Sequence, residues 1–84
     1  MNIPMTPEAL RRVFEEELLN IAPDASFDGV AEDADLRDVL DLDSMDIMNL
    51  VIALHDRLGL DIPDKDAAQL VTIKGAVDYL SSKD

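Results

Sequence analysis

Leu40-Asp41-Leu42-Asp43-Ser44-Met45-Asp46-Ile47-Met48-Asn49-Leu50-Val51-Ile52-Ala53-Leu54-His55-Asp56-Arg57-Leu58-Gly59 decides how this chain is read. The stretch starts as an aspartate-rich connection and becomes, at Ser44, the most regular apolar helix in the sequence. Gly59 is its stop signal. At about 100° per residue, Ile47, Leu50, Leu54 and Leu58 fall on one side with Val51 beside them, which makes that side the core face. Met45, Met48 and Ile52 fall roughly opposite, among Asn49 and Asp56. A helix that packs on one face needs no second apolar stripe. Three explanations stand side by side: other helices cover both faces, a second copy of the chain covers one, or the stripe docks partners transiently. Methionine suits the last, because its flexible thioether adapts to several surfaces.

Outward from this helix the pattern stays helical. Upstream, Thr6 is a capping residue, Pro7 suits a first helical position and Glu8 the positive end of the dipole. Leu10, Val13, Phe14, Leu18 and Ile21 then form one stripe, and Pro23 stops that helix near 20–22. The connection over 23–43 is long for a compact domain. It must be pinned by its own apolar side chains, for which Phe27, Val30, Leu36, Val39, Leu40 and Leu42 are the candidates, with a helical turn near 36–40. Downstream, Leu60-Asp61-Ile62-Pro63 is extended and Asp64 is expected to cap a short helix to about Gln69. Thr72 caps a last helix with Ile73, Ala76, Val77 and Leu80 on its stripe, where Gly75 permits close packing. The expected fold is all-α: a small four-helix bundle of three longer helices and a short third, with a long loop between the first two, in one domain over 1–84.

The chain's 84 residues limit the core it can bury, yet 48% hydrophobic content is enough for a globular fold. Nineteen acidic residues against seven basic ones give a formal charge of −12. Such a field repels nucleic acid and anionic membrane surfaces and steers basic partner surfaces toward the protein. There is no cysteine, so disulfides, thiolate metal sites and a protein thiol nucleophile are excluded. That absence fits a reducing, cytoplasmic setting. Met1-Asn2-Ile3-Pro4-Met5 lacks the basic and apolar regions of a signal peptide, and no apolar run approaches the roughly 18 residues of a membrane span.

Ser44 has several readings. As an N-cap it would satisfy an orphan backbone N–H for about 1 kcal/mol. A nucleophile needs a base, and the single histidine, His55, is eleven residues along the same helix. At 1.5 Å per residue that is about 16 Å away, so the pair cannot form, and His55 reads as a solvated or rim residue. A calcium loop also fails. Counting from Asp41, the sixth position is Asp46 and the twelfth Ile52, where glycine and glutamate are required; counting from Asp33, the fifth is Arg37 and the sixth Asp38.

Three segments carry a resemblance. Leu40-x-Leu42-Asp43-Ser44-Met45-Asp46, Leu60-Asp61-Ile62-Pro63-Asp64 and Thr72-Ile73-x-x-Ala76-Val77-x-Tyr79-Leu80 resemble, at fitting spacings, the acyl carrier protein family, whose Asp-Ser-Leu motif carries a phosphopantetheine arm on the serine. The resemblance implies a monomeric carrier with no catalysis of its own, which holds an acyl intermediate of lipid or secondary metabolism as a thioester on an arm at Ser44. A transferase supplies the attachment chemistry, and the arm's thiol supplies what a cysteine-free chain lacks. The implied partners are a phosphopantetheinyl transferase and acyl-loading and acyl-processing enzymes with basic docking surfaces. Asp43 and Asp46 would meet their basic residues, Met45, Met48 and Ile52 would form the apolar part of the docking face, and Asn49 and Asp56 lie on that face too. The core lining, including Leu50, Leu54, Ile62 and Tyr79, would shelter part of a bound chain. Three departures from the family pattern stand out. Asp41 replaces a common glycine, Met45 replaces leucine, and Asn49, His55 and Arg57 thin the acidity of the helix. Together they imply a carrier with its own set of partners. An aminoacyl or peptidyl carrier, or a non-carrier acidic interaction protein with Ser44 as a plain cap, are the other readings.

Overall fold

Thr6 starts the first helix as its sequence demands. Its Oγ1 accepts from the Ala9 N–H at 3.1 Å, and Pro7 occupies the first turn of α1, Pro7–Ile21. The computed structural model describes residues 5–83, so the expectation of no leader falls largely on residues outside those described. Leu10, Val13, Phe14 and Leu18 bury the predicted stripe of α1, and the Ala22 N–H closes its end on the Leu18 carbonyl. A four-residue helix, α2, spans Leu36–Val39, followed by α3, Ser44–Leu58, and α4, Ile73–Lys83. A 3₁₀ segment over Asp64–Leu70 lies between α3 and α4. α1 packs against both α3 and α4, and the 3₁₀ segment also packs against both α3 and α4. This is the expected all-helical bundle, and among the described residues no helix is long and apolar enough to cross a membrane.

The core is continuous. Phe14, Leu10, Leu18, Leu36, Leu50, Leu54, Leu70, Ile73 and Leu80 are fully buried within it. Among the described residues no buried side-chain nitrogen or oxygen lacks a partner, and the core holds no charged group. Gly75 is where α4 approaches the end of the 3₁₀ segment. A Cβ there would sit 2.9 Å from the Gln69 carbonyl oxygen and 2.7 Å from Thr72 Oγ1, which itself caps α4 by accepting from the Gly75 N–H at 2.9 Å.

The loop over 23–43 is pinned in part as expected. Leu36 and Leu42 are buried, and Phe27, Val30 and Leu40 pack half-buried against the core. Val39 departs from the expectation: it is 49% exposed, because α2 turns only its Leu36 side inward. Much of the anchoring is instead backbone to backbone. The Leu36 N–H donates to the Val71 carbonyl at 2.7 Å, and the Lys74 N–H to the Glu32 carbonyl at 2.9 Å, tying the loop to the start of α4. The ion pair of Arg11 with Glu32 adds a tie to α1.

Asp64 does not cap the short helix. It is the first residue of the 3₁₀ segment, and Pro63 occupies the cap position with no side-chain cap bond. The proline's extended backbone already sets the entry angle, and the Asp66 N–H bonds the Pro63 carbonyl at 2.9 Å. The segment is fastened to α4 by the Tyr79 hydroxyl, which donates to Asp66 Oδ2 at 2.6 Å.

Burial, then this hydrogen bond, then the charges of Asp66 and Asp61 push the Tyr79 phenol from 10.0 up to about 12. The folded value lies above the ordinary one, so the stability it contributes is complete below pH 10 and is lost as pH rises toward 12. Equilibrium urea unfolding will show a fall in stability across that window in the wild type and a smaller one in Tyr79→Phe. At neutral pH the variant will be less stable by about 1.5–3 kcal/mol, the worth of a hydrogen bond to a charged acceptor.

Candidate functional site

The site is the junction where the loop becomes α3. Asp41 forms the turn with φ 54°, a left-handed conformation that aspartate tolerates better than most side chains. It is the only non-glycine residue with positive φ among the described residues. Leu42 then anchors the chain in the core, and its N–H bonds the Arg37 carbonyl at 3.1 Å.

Ser44 is not the N-cap. Asp43 is: its Oδ1 accepts from the Asp46 N–H at 2.9 Å, while Asp46 Oδ2 accepts from the Asp43 N–H at 3.1 Å. This reciprocal pair is a capping box, and Ser44 becomes the first helical residue. The sequence carried the signal, since an acid stands three residues after Asp43, whereas Ile47 stands three after Ser44. A carboxylate can therefore close both bonds from Asp43, and Ser44 has no such reciprocal partner. The Ser44 side chain is exposed, and its hydroxyl has no hydrogen-bond partner among the described residues.

The two faces of α3 separate as the wheel predicts. Ile47, Leu50, Val51 and Leu54 are buried. Met45 is 69% exposed, Ile52 54% and Met48 37%, and Asn49 and Asp56 are exposed on the same side. Asp43 is also exposed and Asp46 half-buried. The first of the three explanations for the stripe is thereby overturned: no other helix of the described chain covers it. Leu58 is half-buried at the end of the core face.

Two residues expected to thin the acidity of this face do not lie free on it. Arg57 reaches across to α1, donating from Nη1 to Glu17 at 2.8 Å and from Nη2 to Glu16 at 2.6 Å. Those hydrogen bonds, Glu17 first, raise its pKa above the ordinary value. His55 Nδ1 lies 2.7 Å from the Leu60 carbonyl oxygen and ties the end of α3 to the extended segment beyond Gly59. Gly59 itself, with φ 68°, sends its N–H back to the His55 carbonyl.

Beside Ser44 runs a groove of about 360 Å³ between α3, α2 and the 3₁₀ segment. Leu42, Ile47, Met48, Ala67 and Val71 give it apolar walls, and Arg37 lines it together with Ser44. Leu50, Leu54, Ile62 and Tyr79, expected to shelter a chain, are buried in the core and do not line this groove.

The family model for the phosphopantetheine attachment site matches residues 8–80. The chain belongs to the acyl carrier protein family. An acyl carrier protein of Campylobacter hominis is 40% identical over 76 residues, which cover 83% of this chain and 91% of that one. The solved structure of an acyl carrier protein from Enterococcus faecalis superposes with a TM-score of 0.72 at 33% identity, covering 95% of this chain and all of that one. The protein is thus a carrier, not an enzyme, and its prosthetic group is a covalently attached phosphopantetheine. When bound, that group supplies the thiol on which an acyl group is held as a thioester. Carriers of this family interact with phosphopantetheinyl transferase and with acyl-processing enzymes.

The cap assignment separates two neighbouring residues. Asp43→Ala removes an N-cap and will cost about 1–2 kcal/mol in urea unfolding. Ser44→Ala changes an exposed first-turn residue and will stay within about 0.5 kcal/mol of wild type. A larger loss in Ser44→Ala than in Asp43→Ala would return the cap to Ser44.

Proposed function

We propose that Ser44 carries the phosphopantetheine arm and that the outer face of α3 docks the enzymes that load and unload it. The observation that carries this reading is the free hydroxyl of Ser44 at a helix start whose capping is done by another residue. The residues present suit a phosphodiester. The serine is exposed, the positive end of the α3 dipole lies beside it, and a largely apolar groove lined by one cation, Arg37, and one carboxylate, Asp43, adjoins it. The other serines suit it less. Ser26 Oγ accepts from the Asp28 N–H, Ser82 Oγ donates to the Tyr79 carbonyl, and Ser81 and Ser82 lie beyond the stretch matched by the family.

In this reading Asp43, Asp46 and Asp56 present negative charge to basic partner surfaces. Met45, Met48 and Ile52 bury apolar area on contact, and Asn49 adds a neutral polar contact. The carrier acts as a monomer in the cytoplasm, as one domain over residues 1–84. Delivery is the mechanism: the face docks, and the arm reaches into the partner's active site. The bond to the arm is made by the transferase, which supplies the activation of the serine.

Incubation with coenzyme A and a broad-specificity phosphopantetheinyl transferase will raise the intact mass by one arm. Ser44→Ala will show no gain. A gain that survives the substitution places the arm elsewhere.

Met48→Glu puts a charge on the stripe at a 37% exposed position. The variant will keep its helical circular dichroism and will be turned over more slowly by an acyl-processing enzyme. An unfolded variant would assign that face to the core. Association of the wild type will slow as salt rises, because exposed charges are screened beyond about 10 Å at 0.1 M.

A further inference from the structure

Arg37 and Ser44 come from different elements and line the same groove. Arg37 is the one cation among the residues that line it. Its position is held from three sides. Its carbonyl accepts from the Leu42 N–H, its own N–H donates to Asp35 Oδ1 at 2.9 Å, and its guanidinium grips the same carboxylate through Nε at 3.0 Å and Nη2 at 2.7 Å. Asp35 thus both caps α2 and orients the arginine. Nη1 is left without a partner among the described residues.

The rest of the charge around Ser44 is negative. Asp43 and Asp46 form the capping box on either side of the serine, and Asp41 stands in the turn before it. The Asp46 N–H, one of the donors a helix start could offer an anion, is already taken by Asp43. A phosphodiester on Ser44 adds a further negative charge among these carboxylates. The helix terminus alone is a poor counterweight, whereas Arg37 in the adjoining groove, its charge partly offset by Asp35, still has Nη1 to donate to a phosphate oxygen.

We propose that Arg37 binds the phosphate of the arm carried on Ser44, holding the base of the arm at the groove. This rests on the assignment of the arm to Ser44. Arg37 is a binding residue for the prosthetic group, and Asp35 is its positioning residue.

Phosphorus NMR of the holo protein tests this without any enzyme assay. Wild type, Arg37→Ala and Arg37→Lys are each loaded by the transferase from coenzyme A, and their folds are compared by amide spectra. The Arg37→Ala resonance will move by more than its own line width and become narrower as the phosphate gains freedom. Arg37→Lys, which keeps the charge, will recover at least half of the displacement, and raising salt will move the wild-type resonance toward that of Arg37→Ala. An Arg37→Ala resonance superimposed on wild type overturns the proposal, as does an Arg37→Lys resonance that coincides with Arg37→Ala. A phosphorus signal that Ser44→Ala still acquires overturns the Ser44 assignment itself, an outcome distinct from a wild-type signal that Arg37→Ala fails to move.

Discussion

The reciprocal hydrogen bonds between Asp43 and Asp46 are the constraint on which the junction depends. A helix start leaves four backbone N–H groups without partners, and some acceptor must meet them. If Ser44 did so, its hydroxyl would be engaged and turned back onto its own helix. The capping box moves that duty one residue upstream. Ser44 is left exposed, with no hydrogen-bond partner for its hydroxyl among the described residues, while the helix end stays ordered. Stability and accessibility are met by different residues.

The cap in turn depends on how the preceding loop arrives. Asp41 turns the chain through a left-handed conformation, and buried Leu42 fixes where Asp43 begins. The loop behind them is held to the start of α4 by the backbone bonds of Glu32 and Leu36, and to α1 through Arg11. Long loops are ordinarily where order is lost. Here the ties are made at both ends of the stretch that leads into α2, so the short helix and the residues that follow it sit on the bundle. α2 is too brief to be stable alone. It persists because Asp35 caps it and Leu36 is fully buried.

Local, periodic features were legible in the sequence. The helix over 44–58 ends where Gly59 says it should, and its two faces fall where the wheel places them, because spacing and a stop residue are properties of the chain itself. The cap was legible too, in the Asp43-x-x-Asp46 pattern, but the serine drew the reading one residue too far. What could not be read were contacts between distant residues. Arg57 looks like a charge on the outer side of α3, yet its partners Glu17 and Glu16 lie 40 and 41 residues earlier. The backbone bonds of the loop are of the same kind, since every residue but proline carries both donor and acceptor and none marks its partner.

The pairing of Arg57 also changes what the charge of α3 means. Counted along the sequence, its arginine partly cancels its acids. In space the guanidinium lies against α1, where two carboxylates already offset it, and at the far end His55 faces the Leu60 carbonyl. Asp56 remains exposed on the side of Met45, Met48 and Ile52. Charges closer than a screening length act on an approaching surface according to where they sit, not according to the sum over the element. The Arg57 charge is therefore directed toward α1, while Asp56 stays exposed on the outer face of α3. Neither Arg57 nor His55 is a carboxylate, so these contacts leave the thinned acidity read at Asn49, His55 and Arg57 in place. Met45, at 69%, is the most exposed of the three apolar residues on that stripe and contributes most to the apolar surface offered there.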